Sequence, residues 1–399
     1  MQQSENVVCP GQRAEDAMGL YIHLPWCIRK CPYCDFNSHA ASSEGLPEND
    51  YIVALGVDLK QDIGFYSGRR LSSIFLGGGT PSLFSAKGLE QIIDRVVKEM
   101  ACEDSLEITL EANPGTFETE KFRDFRRLGI NRLSIGVQSF QDTYLKALGR
   151  VHQGDEAMRA VSMARRVGFD NINIDLMYGL PEQTVAHAEN DLAIALSLQP
   201  SHLSYYQLSL EPQTLFYRQP PSLPEADVIW AMQQSAQLRL QQNGFIHYEV
   251  SAYGQAGFFC RHNLNYWRFG DYLGIGAGAH GKISTCDESG VIQDIRRRWK
   301  VKHPVHYIAR ARQSTLVAED IRIEKGHIPC EFLMNHLRLK QGFTVGDYRR
   351  RTGLSMRSLE PMLGACIADG LLEKKEQRIC CTARGWDFLD SVLERFVVW

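Results

Sequence analysis

Three cysteines on one short stretch carry the strongest chemical signal in the chain. They form Cys27-Ile28-Arg29-Lys30-Cys31-Pro32-Tyr33-Cys34, a CxxxCxxC spacing. Thiolates are the standard ligands of iron–sulfur clusters. Three of them on a tight loop can each take a different iron of a 4Fe-4S cubane. The fourth iron then stays open, as a reactive metal site requires. An amine and a carboxylate, such as those of methionine, can chelate it. A structural zinc site is the competing assignment, but such sites usually take four ligands, often as two separated pairs. The chain has no second CxxC, and the rest of its 11 cysteines are scattered. His23 and His39 lie near enough in sequence to offer a fourth ligand. His23, however, falls inside a strand pattern, where a packed or hydrogen-bonded histidine is the plainer expectation.

Two further features could build a ligand pocket. Gly77-Gly78-Gly79-Thr80-Pro81-Ser82 follows an apolar run. Glycines adopt positive φ and let backbone approach a ligand closely, leaving amides free for a carboxylate or hydroxyl. Glu111 closes another apolar run, where a buried carboxylate is costly without a partner.

These residues need elements to position them. Short runs rich in Ile, Leu, Val and Tyr read as strands at Gly19–His23, Ser72–Gly77, Leu106–Glu111, Arg132–Val137, Asn171–Leu176 and Leu203–Leu208. Helical periodicity lies between them, at about Asp50–Phe65, Ser85–Met100, Thr119–Leu128, Gln141–Leu148, Asp155–Val167 and Ala186–Leu198. Six strand–helix units in series imply parallel strands with right-handed crossovers. The expected fold class is α/β, an open, partial (β/α)6 TIM-like barrel. Chemistry in such folds sits at the C-terminal strand ends. The glycine turn, Glu111, Gln138 and Asp175 all fall there.

Composition limits the alternatives. The chain has 399 residues, 44% hydrophobic and 23% charged, and a net charge of −3. That fits a large buried core and argues against a general nucleic-acid binder. No apolar run approaches the length of a membrane helix, so an integral membrane protein is not expected. The polar N-terminus lacks the apolar segment of a secretion signal. We therefore expect a cytoplasmic protein without disulfides.

The run Tyr21-Ile22-His23-Leu24-Pro25-Trp26-Cys27, with Cys34-Asp35-Phe36-Asn37-Ser38, resembles the radical S-adenosylmethionine superfamily. Within it, the chain looks like the branch of oxygen-independent coproporphyrinogen III oxidase and its heme-chaperone relatives. The resemblance spans from about Gly19 to the C-terminal module. It implies a 4Fe-4S cluster on Cys27, Cys31 and Cys34, with S-adenosylmethionine on the open iron. It also implies that Gly78, Gly79 and Thr80 hold the methionine end and that Glu111 bonds the ribose. Gln138, Arg150, Asp175 and Tyr21 match further cofactor contacts, and Tyr33 matches an aromatic that packs on adenine.

Against the oxidase, the chain departs at position 36. The oxidase has a fourth cysteine there, in CxxxCxxCxC, and a longer N-terminal extension; this chain has Phe36. His262-Asn263-Leu264-Asn265-Tyr266-Trp267 instead resembles the HNxxYW element of the heme-chaperone branch. Imidazole is a common axial ligand of heme iron, and the two aromatics offer flat faces to a porphyrin. His262 is the first candidate ligand; Cys260 and His280 are weaker ones. The implied function is delivery of heme to apo-hemoprotein acceptors, peripherally at the inner face of the membrane where such acceptors sit. Oxidative decarboxylation in porphyrin biosynthesis is the alternative.

Past residue 210 the pattern changes. Glu225–Asn243 reads as a helix. Arg296, Arg297, Arg298, Lys300 and Lys302 form a basic run, either a solvated face, a partner for propionates, or a docking patch. From Glu324, short helices flank a charged turn at Glu373–Arg378, with a single helix expected over Leu354–Asp369. This resembles a winged-helix module. Its arginines are interspersed with acids, so nucleic acid is not an expected partner. The expected organisation is an extension over 1–18, the barrel over 19–245, a connecting region over 246–323 and a C-terminal domain over 324–399.

Overall fold

The computed structural model describes residues 17–397 apart from 44, 67, 117, 118, 288 and 289. Most of the expected 1–18 extension lies outside the described residues.

Six strands run parallel in chain order: β1 (Met18–Leu24), β2 (Leu71–Gly78), β3 (Cys102–Ala112), β4 (Arg132–Gln138), β5 (Asn171–Tyr178) and β6 (His202–Gln207). Helices cross between them: α1 (Glu48–Asp62), α2 (Ala86–Glu99), α3 (Thr119–Arg127), α4 (Asp142–Ala147), α5 (Gly154–Arg166) and α6 (Val185–Ser197). Parallel sheets survive only when both faces are covered, which accounts for strands as apolar as Leu71–Gly78. In α2, Leu89, Ile92, Ile93 and Val96 recur at helical spacing and are buried against the sheet. Its start is fixed by Ser85, whose Oγ accepts the Gly88 amide at 2.9 Å, a cap worth about 1 kcal/mol.

The chain then returns to the sheet. After α7 (Ala226–Gln242), strands β7 (Ile246–Glu249) and β8 (Ala252–Gly254) extend it antiparallel beyond β6. A short helix, α8 (Arg261–Trp267), leads to β9 (Tyr272–Ile275), which pairs parallel with β1 on its open side. Strands β10 (His280–Cys286), β11 (Ile292–Lys300) and β12 (Val317–Arg322) continue outward. Among the described residues, twelve strands form one open sheet, ordered β12-β11-β10-β9-β1-β2-β3-β4-β5-β6-β8-β7. The six-unit partial barrel is thus present, with a seventh parallel strand added from downstream.

Four residues of the basic run lie on β11 and are neutralised within the fold; the fifth, Lys302, lies beyond the strand and is exposed. Arg296 pairs with Asp320 at 2.8 Å, Arg297 with Glu331, and Arg298 with Asp62 at 3.1 Å. Lys300 is fully buried between Asp58 and Asp62 of α1. The Asp58 carboxylate also accepts from Tyr307 at 2.6 Å and from the Gly276 amide at 3.0 Å. Arg298 and Lys300 clamp β11 to α1 of the barrel, while Arg296 ties it to β12 and Arg297 to the C-terminal segment, so these four cations are not a docking patch. A second buried cluster repeats the device, with Asp271 held by Arg69 and Lys282, each at 2.7 Å. One cysteine departs from expectation: Cys286 is disulfide-bonded.

The C-terminal segment packs Phe332, Leu333, Phe343, Tyr348, Leu363 and Ile379 into its own core. Among the described residues, five short α-helices and a three-stranded sheet, with the hairpin Leu372–Lys375 and Arg378–Cys381, match the winged-helix expectation. The helix expected over Leu354–Asp369 is broken. Pro361 cannot continue a helix from the preceding turn, so Met356–Leu359 is a 3-10 turn and Met362–Ala368 a separate helix. No described helix is long and apolar enough to cross a membrane.

Candidate functional site

The cysteine loop leaves β1 and folds over the C-terminal ends of the parallel strands. A short pairing of Trp26–Cys27 with His39–Ala40 closes its base. Asn37 anchors it, with Nδ2 donating to the carbonyls of Ala277 and Lys302, both at 2.9 Å. His23 braces it from below. Its Nε2 donates to the Asn37 carbonyl at 2.9 Å, and its Nδ1 accepts from the Tyr21 hydroxyl at 3.0 Å. The histidine is therefore structural, not a fourth ligand.

Cys27, Cys31 and Cys34 open onto a chamber of about 530 Å³. Burial raises the pKa of the Cys27 and Cys34 thiols. Among the described residues, no three His, Cys, Asp or Glu side chains converge on one ion position. The three thiols lie near enough for Cys31 and Cys34 to act on Cys27 through their charge. Arg150 stands beside them, its Nη1 donating toward Cys31 Sγ at 3.8 Å and its Nη2 to the Gly136 carbonyl at 2.6 Å.

The glycines of the turn are required by packing, and its amides are not free as expected: Gly79 donates to the Leu24 carbonyl at 2.9 Å and Thr80 to the Trp26 carbonyl at 2.7 Å. Gly78 has φ +112°, and a Cβ there would strike the His23 ring at 2.4 Å; one on Gly79 would meet the Trp26 carbonyl oxygen at 2.5 Å. The Gly78 amide donates to Glu111 Oε2 at 3.0 Å. Burial lifts the pKa of Glu111 to about 7, and that amide only partly opposes the shift. Asp175 accepts from Asn173 at 2.8 Å and Ser134 at 3.1 Å, and burial raises its pKa too. Gln138 sits at φ +69°, a strained position for a side chain of its kind. Its Oε1 accepts from the Tyr206 hydroxyl at 2.8 Å.

Cys27, Cys31, Tyr33, Cys34, Gly78, Gly79, Thr80, Glu111, Gln138, Arg150 and Asp175 all line this one chamber. Tyr21 and His262 do not. Tyr21 lies behind Phe75, stacked on it with ring centroids 6.1 Å apart. His262 is buried under β1 and β2, its Nδ1 3.0 Å from Ser73 Oγ. Burial drives its pKa down to about 3, so it is neutral at ordinary pH. Its Nε2 has no hydrogen-bond partner among the described residues. From the same helix, Asn263, Tyr266 and Trp267 do reach the chamber wall. Cys260 is buried, its Sγ 3.7 Å from Glu107 Oε1, and His280 stacks on Trp299.

Several lining residues were not singled out from the sequence: Arg132, Ser134, Asn173, His202, Ser204, Tyr206 and Arg338. A signal for them exists. Arg132, Ser134, Gly136 and Gln138 alternate along β4; Asn173 and Asp175 along β5; His202, Ser204 and Tyr206 along β6. Polar residues at period two inside otherwise apolar strands mark the face that lines the chamber.

Comparison with known proteins agrees with this architecture. A model of the radical SAM superfamily matches residues 21–194, and one of the HemN C-terminal domain matches residues 324–388. The heme chaperone HemW of Haemophilus influenzae is 44% identical over 384 residues, covering 95% of this chain and 98% of that protein. HemW of Escherichia coli is also 44% identical, at the same coverage, and HemW of Bacillus subtilis is 35% identical over 92% and 95% of the two chains. In fold, the chain superposes on Escherichia coli coproporphyrinogen III oxidase (HemN), a radical SAM enzyme. The TM-score is 0.79 at 21% identity, over 96% of this chain and 91% of that one. The chain belongs to the HemW family of the radical SAM superfamily.

Proposed function

We propose that this protein is a heme carrier. Cys27, Cys31 and Cys34 would hold a 4Fe-4S cluster, the adjoining turn S-adenosylmethionine, and the α8 end of the chamber a heme for delivery to apo-hemoproteins. The observation that carries this reading is that one chamber runs from the three cysteines to Tyr266 and Trp267. The heme-chaperone relatives support the cargo.

When bound, the cluster supplies one-electron reducing power to a sulfonium ligand. The chain's own residues position that ligand. The Gly78–Thr80 turn lines the chamber where its methionine end would lie, Glu111 and Asp175 offer carboxylates for hydroxyl groups, and Arg150 offers a guanidinium for a carboxylate. On the heme side, Tyr266 and Trp267 give flat apolar walls. His262, which lies behind the chamber wall, would hold the heme iron only once that wall shifts: Nδ1–H donating to Ser73 would leave the Nε2 lone pair for iron. We propose a cytoplasmic location, with acceptors that include proteins at the membrane's inner face.

The test is an anaerobic titration of reconstituted protein with heme, followed by transfer to an apo-cytochrome. Stoichiometric binding and transfer support the reading. An unchanged heme spectrum and affinity in His262→Ala would remove that residue from the site. Conversion of coproporphyrinogen to vinyl product, with S-adenosylmethionine and a reductant, would overturn the carrier reading in favour of the oxidase.

A further inference from the structure

The end of the chamber away from the cysteines contains a cation without a partner. Arg132 opens β4, is 2% exposed and lines the chamber. Its guanidinium makes no hydrogen bond or ion pair with the described residues, and its Nε is fully enclosed and unpaired. A buried charge in that position is costly unless something completes it.

No surrounding group among the described residues completes it. The Glu107 carboxylate is committed to the amides of Arg261 and His262, both at 3.1 Å. The Asp175 carboxylate is committed to Ser134 and Asn173. His202 has both ring nitrogens engaged, by Asn173 at 2.6 Å and Tyr248 at 2.7 Å. Glu107 and Asp175 act on Arg132 through their field and keep it charged without touching it. The other cation at this end, Arg338, differs: it is paired with the fully buried Glu249 at 2.6 Å. Of these two, Arg132 is the one whose donors have no partner among the described residues. Cys260, which caps α8, lies in its field, so the guanidinium sits near the helix that carries Tyr266 and Trp267.

We propose that Arg132 is the anchor for a carboxylate of the ligand held at this end of the chamber. With heme as that ligand, Arg132 takes a propionate. The assignment rests on the heme-carrier reading and adds to it the orientation of the cargo, with the propionate edge inward beside β4.

The experiment compares heme with heme dimethyl ester, which keeps iron and ring but masks both carboxylates. Charge-assisted hydrogen bonds of this kind are worth roughly ten- to hundredfold in affinity. Wild-type protein should prefer heme by about that factor. Arg132→Met should bind both ligands alike, near the ester's wild-type affinity, with S-adenosylmethionine affinity unchanged. Arg132→Gln provides the same comparison if the methionine variant does not fold. A merely structural role would weaken both ligands equally and leave the preference intact, and that result overturns the proposal. So does a wild type without preference. Loss of S-adenosylmethionine binding alone would assign Arg132 to the methionine carboxylate instead. If wild type binds neither heme nor its ester, the carrier reading itself fails, a result distinct from any of these.

Discussion

Arg150 points its guanidinium at Cys31, with Nη1 3.8 Å from the sulfur. A positive donor beside a cluster ligand stabilises the more negative, reduced state. Arg150→Met should therefore lower the cluster's midpoint potential, on the order of 50–100 mV for one charge-assisted hydrogen bond. It should also weaken S-adenosylmethionine binding. Electrochemical titration of the reconstituted variant, followed by electron paramagnetic resonance, checks both. An unshifted potential would show that the contact has no electronic effect.

Replacing Cys31 tests the cluster assignment directly. Cys31→Ser should lose the iron–sulfur absorption and nearly all bound iron, with circular dichroism unchanged, because the loop is held by Asn37 and His23 and not by the metal. Tight zinc in anaerobically prepared wild type would refute the assignment.

Glu111 couples the pocket to pH. Its folded pKa of about 7 lies above its ordinary 4.5. The folded protein therefore holds a proton there that the unfolded chain has released. Below about pH 4.5 this makes no difference; between about 4.5 and 7 stability falls as pH rises. The upper bound is roughly 3 kcal/mol. Glu111→Gln should flatten that slope and stabilise the ligand-free protein above pH 7, while weakening S-adenosylmethionine binding. Denaturant unfolding at a series of pH values is the measurement. An identical pH profile in the variant would refute the shift.

Lys300 should be among the most sensitive positions for stability. Lys300→Met leaves Asp58 buried without its cation and Asp62 with Arg298 alone, a loss of about 3–5 kcal/mol. A thermal transition within a degree or two of wild type would show that the clamp contributes little.

The six barrel strands and their helices were legible because each is a local pattern. The expected Thr119–Leu128 and observed Thr119–Arg127 helices differ by one residue, and Glu225–Asn243 and Ala226–Gln242 by one at each end. The pairing of β9 with β1 was not legible. It joins Gly19 to Tyr272, and nothing local in either segment names the other. The same distance hid the fate of the basic run, since the acids that neutralise Arg298 and Lys300 belong to α1, over two hundred residues away. His262 shows a third limit. A motif gives residue type, while its position behind the wall follows from Gly19, where a Cβ would come within 3.2 Å of the imidazole.

Asn37 gives the loop a long reach. One amide group grips carbonyls at Ala277 and Lys302, which bracket the outer strands on the far side of β1. Whatever orders the segment around Asn37 therefore spares those strands part of their own entropy cost. Filling the cysteine site should slow amide exchange across β10 and β11. By reciprocity, loosening those strands should make iron easier to lose.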